Sequence, residues 1–367
     1  MSGFKLIFGL LILALFLLFI AQNAGYVDIN LFHMAFRVPI FVILLVSFGI
    51  GFLMPSLYFS FREMSLRSRL SRMENVLKEF ARGYYGKVEK LLPHGSPWNV
   101  LLVLSLAKQG KTDSLKGISA GPLSLAGEYL MRGEFLQEAK EKFQGALSTD
   151  SLDLNALKGM RDISFIEGDV DKALEYQSKV LDSSERWDRE AQKAIRAELL
   201  GYKYLTTGEG AYVEEAFDLH KSPFVYYTYI LYLLSQDRIK DAKKHMEKVF
   251  SLGYQEDVVW MLMEREEALA KVYDLLEAKR ELIKADTLAM VYMKLNLLSK
   301  AKGLEDTVST PIRALLLSSQ SHREQDKLCL MGIVELLKPF SCSCGKPYNK
   351  YQPMCDSCFK WGSIRRD

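Results

Sequence analysis

Four of the chain's five cysteines fall in its last 26 residues, as two close pairs, Cys342 with Cys344 and Cys355 with Cys358, separated by a ten-residue arm. Four thiolates at such spacing can close a tetrahedral S4 site. A segment this short holds too few apolar residues to fold alone, so a bound ion would supply most of its folding energy. The competing use of the same residues is two disulfides, and the compartment decides between them.

Compartment is read from the other end of the chain. Residues Leu6 to Ala21 are almost unbroken Leu, Ile, Phe and Ala, and a second apolar run extends from Val38 to Phe59. Each approaches the roughly 20 residues that cross a bilayer. The connector from Gln22 to Arg37 carries only Asp28 and Arg37, whereas Arg62, Arg67, Arg69, Arg72, Lys78 and Arg82 follow the second run. The bias of Lys and Arg toward the cytoplasm predicts two spans with the hairpin tip outside and both termini inside. A cytoplasmic tail keeps thiols reduced, which favours metal. Zn²⁺ is the expected ion, one per chain and structural, with Fe the alternative because both accept four thiolates. The other reading of the first run, a cleaved signal peptide behind Lys5, lacks a small-x-small cleavage site, since Ala21-Gln-Asn-Ala24 is spaced one residue too wide.

Between Ser65 and Leu337, apolar residues recur at three and four residue spacing, punctuated by turn residues, which predicts an all-α region. Arg132-Gly133 through Ala139 and Phe143 to Leu147 compares with Glu167-Gly168 through Ala173 and Tyr176 to Leu181. Ala139 to Ala173 and Leu147 to Leu181 are each 34 apart, the period of tetratricopeptide repeats. A third copy runs through Ala242, Met246 and Val249 to Phe250, with a degenerate one expected around Gly201 to Phe217. Gly133 and Gly168 suit tight turns between antiparallel helices, and Ala139 and Ala173 allow close helix approach. Such an array buries each pair only against its neighbours. An irregular helical domain is the alternative. Shortened pairs are expected at Ala81 to Leu92 and Gly110 to Ile118, and Asp257 to Lys300 reads as helical without a clear repeat.

Catalytic chemistry is not found. Ser105-Leu-Ala-Lys-Gln-Gly110-Lys111-Thr112 nearly matches a phosphate-binding loop, but a helix leads into it where that loop needs a strand. The five histidines are scattered, and the carboxylates fall on polar helix faces. Cys329 lies in an apolar run and reads as core, and Trp98, Trp187 and Trp260 read as helix-packing residues. With a net charge of +3 the chain is near balance, which argues against a dedicated nucleic-acid binder. No catalytic or organic-cofactor residue is assigned; the metal ligands are Cys342, Cys344, Cys355 and Cys358.

The ending Cys355-x-x-Cys358-x-x-Trp361-x-Ser363-Ile364-Arg365 resembles the rubredoxin-like tail of the lipopolysaccharide assembly protein B family, and Trp361 is placed to cover the metal clasp. The first pair departs from that pattern, being C-x-C instead of C-x-x-C. The first 60 or so residues resemble the two-span lipopolysaccharide assembly protein A family, through Ala21-Gln22-Asn23 and Pro39-Ile40. The resemblance implies three parts: a membrane anchor over 1–60, a tetratricopeptide-type α-solenoid over 61–338 and a rubredoxin-like zinc ribbon over 339–367. It also implies a non-enzymatic adaptor in the bacterial inner membrane that links the deacetylase of the lipid A pathway to a membrane AAA+ protease. The repeat surface and the metal tail are the expected partner-binding parts. A scaffold for another envelope assembly and a rubredoxin-like electron carrier are the alternative functions, and the oligomeric state is not legible.

Overall fold

The computed structural model describes residues 2–22, 25–31, 34–92, 99–119, 121–319 and 338–366. Cys329 and Trp98 lie outside them. The chain divides into two compact units, Met1–Leu92 and Pro93–Asp367.

In the first unit, α1 (Ser2–Gln22) is a 21-residue apolar helix. The connector is not a plain loop: β1 (Tyr26–Leu31) and β2 (Met34–Pro39) pair antiparallel. Val-Asp-Ile-Asn-Leu alternates apolar and polar residues as a strand does, and the connector's two charges are direct cross-strand partners, with Arg37 Nε 3.6 Å from Asp28. Val38 therefore belongs to a strand, and helix begins at Ile40. From there α2 (Ile40–Phe48), a π-helical turn at Gly49–Leu53 and α3 (Met54–Ala81) follow without a break. Pro55 has no N–H to donate to the carbonyl one turn before it, and the widened turn absorbs the mismatch. Ile40–Ala81 is long and apolar enough to cross a membrane. It runs well past Phe59, the expected end of the apolar run. The short α4 (Tyr85–Leu91) folds back on α3, burying Val76 and Val88.

The second unit opens with α5 (Asn99–Lys108) and α6 (Thr112–Lys116) and continues as helical hairpins. These are α7 (Leu123–Arg132) with α8 (Leu136–Thr149), α9 (Leu154–Ile166) with α10 (Val170–Ser183), and α11 (Arg189–Thr207) with α12 (Gly210–Leu219). Then come α13 (Pro223–Ser235) with α14 (Ile239–Leu252), α15 (Gln255–Leu262) with α16 (Glu266–Ala278), α17 (Ala285–Lys294) with α18 (Leu298–Lys302), and α19 (Thr310–Ser319). Each hairpin packs on the next. Pairing thus continues through 257–300, where the sequence shows no clear repeat. A three-stranded antiparallel sheet ends the unit, ordered β4 (Pro347–Tyr348), β3 (Phe340–Cys342), β5 (Ile364–Arg366). Among the described residues the fold is mostly helical with two small sheets rather than purely α.

One turn recurs between paired helices. Residues Gly110, Glu134, Gly168, Asp237 and Asn296 take positive φ. At each, the amide of that residue and the next return to carbonyls of the preceding helix, as in Phe135 N to Leu130 O and Asp169 N to Ser164 O. This is the Schellman closure, which satisfies the last carbonyls of a helix. The left-handed residue is Glu134, not its neighbour Gly133, which lies at φ −87. Glu134 to Gly168 then restores the 34-residue offset. At Gly110 the closure uses the amides that a phosphate-binding loop would need free, which disposes of that motif. Asp153, Asp169 and Ser222 cap helix N-termini by accepting from the amides of Ala156, Lys172 and Val225.

Packing confirms the small positions and corrects an aromatic one. Ala139, Ala173 and Ala242 are fully buried. Phe143 fills the core, but the residue 34 further on is Gln177, also fully buried, and Tyr176 is only partly covered. Trp187 is 79% exposed and packs no helix. Phe143 fits because α7 and α9 present glycines to its ring: a Cβ at Gly159 would lie 2.2 Å from its Cζ, and one at Gly127 2.8 Å from its Cε1. Gly159→Ala is expected to lose about 1–3 kcal/mol in urea melts by overpacking; an unchanged midpoint would contradict this packing.

Candidate metal centre

The C-terminal sheet brings the two cysteine pairs face to face. Cys342 ends β3, and the chain turns through Gly345, at φ +90, so that Gly345 N donates to Cys342 O and Cys342 N to Lys346 O. The second pair sits in a matching turn, with Cys355 N donating to Lys360 O and Phe359 in the left-handed region. The shortened C-x-C pair is accommodated.

The four ligand sulfurs lie within 4.8 Å of one another. Cys342 Sγ is 3.5 Å from Cys358 Sγ, and Cys344 Sγ is 3.7 Å from Cys355 Sγ. None is in a disulfide. A tetrahedron with metal–sulfur bonds of about 2.3 Å has sulfurs roughly 3.8 Å apart, so the residues present fit a tetrahedral ion. Ionisation points the same way. Burial pushes the Cys342 thiol up, but Ser363, whose Oγ lies 3.2 Å away, and the amide of Cys344 outweigh it and bring it to about 6. Burial also opposes ionisation of Cys355, which is lowered overall by the Tyr348 hydroxyl, donating at 3.0 Å, and by the amides of Ser357 and Cys358. Burial and the neighbouring sulfurs push Cys358 up to about 12. At Cys344 the Lys346 amide favours the thiolate, but the adjacent sulfurs and burial raise it overall. Four crowded sulfurs thus divide into two that ionise readily and two that do not, and a central cation is what lets all four be thiolates together. The chemistry such a site offers is structural cross-linking, or one-electron exchange if the ion is redox-active.

The tail is seated on the helices. Trp361 Nε1 donates to Asp162 Oδ1 at 2.8 Å, its ring lies 5.0 Å from that of Phe165, and the Arg161 guanidinium sits 5.3 Å from its centroid. The indole is therefore turned onto α9. Tyr351 stacks on Phe224 at 4.9 Å and donates to Glu198 Oε2 at 3.0 Å. In β5, Arg366 N donates to Asp257 at 2.7 Å and its guanidinium lies 3.8 Å over Trp260. Trp260 is thus a platform for the tail.

Beneath Trp361 is a buried polar network. Arg161 donates from Nε to Asp162 and from Nη1 to Gln177 and Gln192, while Gln177 Nε2 donates to Gln192 O. Burial pushes the Asp162 carboxyl up against the pull of Arg161. None of Arg161, Asp162, Gln177 or Glu198 is marked by a motif. The one hint in the sequence is that they stand at positions of the helical pattern that should be apolar.

Glu198 is wholly buried, and its carboxyl is raised from 4.5 to about 7 by that burial, against the hydroxyls of Ser222 and Tyr351 that favour its charged form. Between those values the folded chain holds a proton that the unfolded chain has released. Glu198 therefore supports folding most below its ordinary pKa, and that support is lost as pH rises through about 7. The swing is at most roughly 3 kcal/mol. Urea melts of wild type and Glu198→Gln from pH 5 to 8 isolate it: the wild type should weaken relative to the variant as pH rises. A constant difference would contradict the buried, protonated carboxyl.

No curated protein matches the chain. Residues 22–82 match the family model of the lipopolysaccharide assembly protein A domain. That match, with the apolar helix Ile40–Ala81, suggests a membrane protein related to lipopolysaccharide assembly.

Proposed function

We propose that the chain is an inner-membrane adaptor of lipopolysaccharide assembly, without catalytic activity of its own. The observation that carries this is the match over residues 22–82 in a chain that continues into helical hairpins and a four-cysteine tail. In this reading α1 and the apolar part of Ile40–Ala81 form a two-span anchor, with the basic residues after Phe59 and both termini on the cytoplasmic side. The hairpins are a tetratricopeptide-type solenoid, and the tail holds one structural Zn²⁺ through Cys342, Cys344, Cys355 and Cys358. The partners are the deacetylase of the lipid A pathway and a membrane AAA+ protease.

The seating of the tail refines where partners bind. The face formed by Arg161, Phe165, Glu198, Phe224 and Trp260 is occupied by the tail, so it is not open to a peptide. The outer surface of the tail, with Lys346, Asn349, Lys350, Asp356 and Lys360 exposed, joins the remaining helices as the recognition surface. Affinity purification of the full chain from membranes tests the reading. Deacetylase and protease should be retained by the wild type and lost with Cys355→Ser. Retention of neither by the wild type would sink it, and iron with a reversible absorbance change would favour electron transfer.

A further inference from the structure

Beyond the apolar part of Ile40–Ala81, α3 continues for about 20 residues as an exposed helix with an unusual pattern. Leu66, Leu70, Met73, Leu77 and Phe80 are spaced four, three, four and three, the a/d alternation of a coiled-coil seam. Leu66 is 50% exposed, Leu70 64% and Leu77 48%. The chain's own α4 covers the neighbouring face, through Val76 and Val88, and reaches the stripe at Phe80, whose ring meets that of Tyr85 edge-on. Scattered exposed leucines need no explanation, but a continuous heptad stripe does.

We propose that this stripe is the seam of a parallel homodimer, its occupant being the same helix of a second copy of this chain. Charge pattern favours a second copy. With Leu70 at position a, Arg69 stands at g and Glu74 at e, and in a parallel pair the g residue of one helix faces the following e residue of the other. Arg69 therefore meets Glu74 of the second copy, twice by symmetry. Glu74 is shared with Lys78 of its own helix, 2.8 Å away. One turn earlier Arg62 faces Arg67 of the second copy, but Arg67 is held at 2.7 Å by Glu63 of its own helix. Glu63, at the preceding a position, in turn lies beside Arg62 of the second copy.

The seam spans 15 residues, about 22 Å, which is short for an independent coiled coil. Tethering both helices to one membrane supplies the missing concentration and enforces the parallel arrangement. The inference rests on the proposed anchoring in that respect.

The test is cysteine cross-linking of the full chain in native membranes, with the wild type as background for its own cysteines. Leu70→Cys and Leu77→Cys should give a band of twice the chain mass under mild oxidant, and Asn75→Cys, on the opposite face, should not. Arg69→Glu in the Leu70→Cys background should reduce the band about two- to fivefold, and adding Glu74→Arg should restore it. Membrane-bound chain that fails to cross-link at Leu70, or cross-links equally at Asn75, overturns the dimer. Chain found in the soluble fraction overturns the anchoring instead.

Discussion

Replacing Cys344 by Ser is expected to release the metal ion and unfold residues 340–366, as fully as Cys355→Ser does. The comparison is informative because the two sites differ in every other respect. Cys355 is fully buried and accepts from Tyr348, so its loss harms the tail even without an ion, whereas Cys344 is exposed. Exposed substitutions away from special features usually stay within about 0.5 kcal/mol. A large effect at Cys344 therefore reports ligation, because structural metal binding is itself folding free energy in so small a segment. Elemental analysis should find one metal per wild-type chain and none in either variant, and near-ultraviolet circular dichroism should lose the tail's aromatic signal. A metal-free but folded Cys344→Ser protein would show that the tail stands without its ion.

Asp162→Ala is expected to be the most damaging single change among the helices, at about 3–5 kcal/mol. The carboxylate answers the Arg161 guanidinium, whose side chain is only 4% exposed, and accepts from Trp361. Truncation leaves Arg161 charged in the core with the neutral oxygens of Gln177 and Gln192 and the face of the Trp361 ring as its partners. A double-mutant cycle with Trp361→Phe apportions the effect. A coupling energy near zero in urea melts would mean that Trp361 gains nothing from Asp162, and a loss below about 1 kcal/mol for Asp162→Ala would contradict the buried pair.

What could be read in advance follows the range of each interaction. The cysteine quartet was legible because its ligands lie within 17 residues and their spacing encodes the turns that join them. Helical hairpins were legible where the small residue and the 34-residue offset recur together, at Ala139 and Ala173. After Asp257 they are not legible, because Ala268 and Leu269 keep the packing without keeping the spacing. The β-hairpin is not evident in hydropathy, which averages over the alternation in residues 27–31. The seat of the tail could not be read at all: Trp361 meets Asp162 across 199 residues and Tyr351 meets Glu198 across 153. No local pattern encodes such pairs. Polar residues at helix positions that should be apolar are their only trace, and at Gln177 the neighbouring Tyr176 hides it, because an aromatic one residue away fits the repeat as Phe143 does.

The most direct test of the account is amide hydrogen exchange of the full chain in detergent, metal-loaded and after chelation. The central claim is that one ion folds the tail and seats it on α9, α11, α13 and α15. Chelation should then abolish protection at Gly362 and Arg366, whose amides bond Pro353 O and Asp257, and should loosen the stretches around Asp162, Glu198 and Asp257, while α7 and α8 keep theirs. Unchanged protection of residues 340–366 without the ion would contradict the claim.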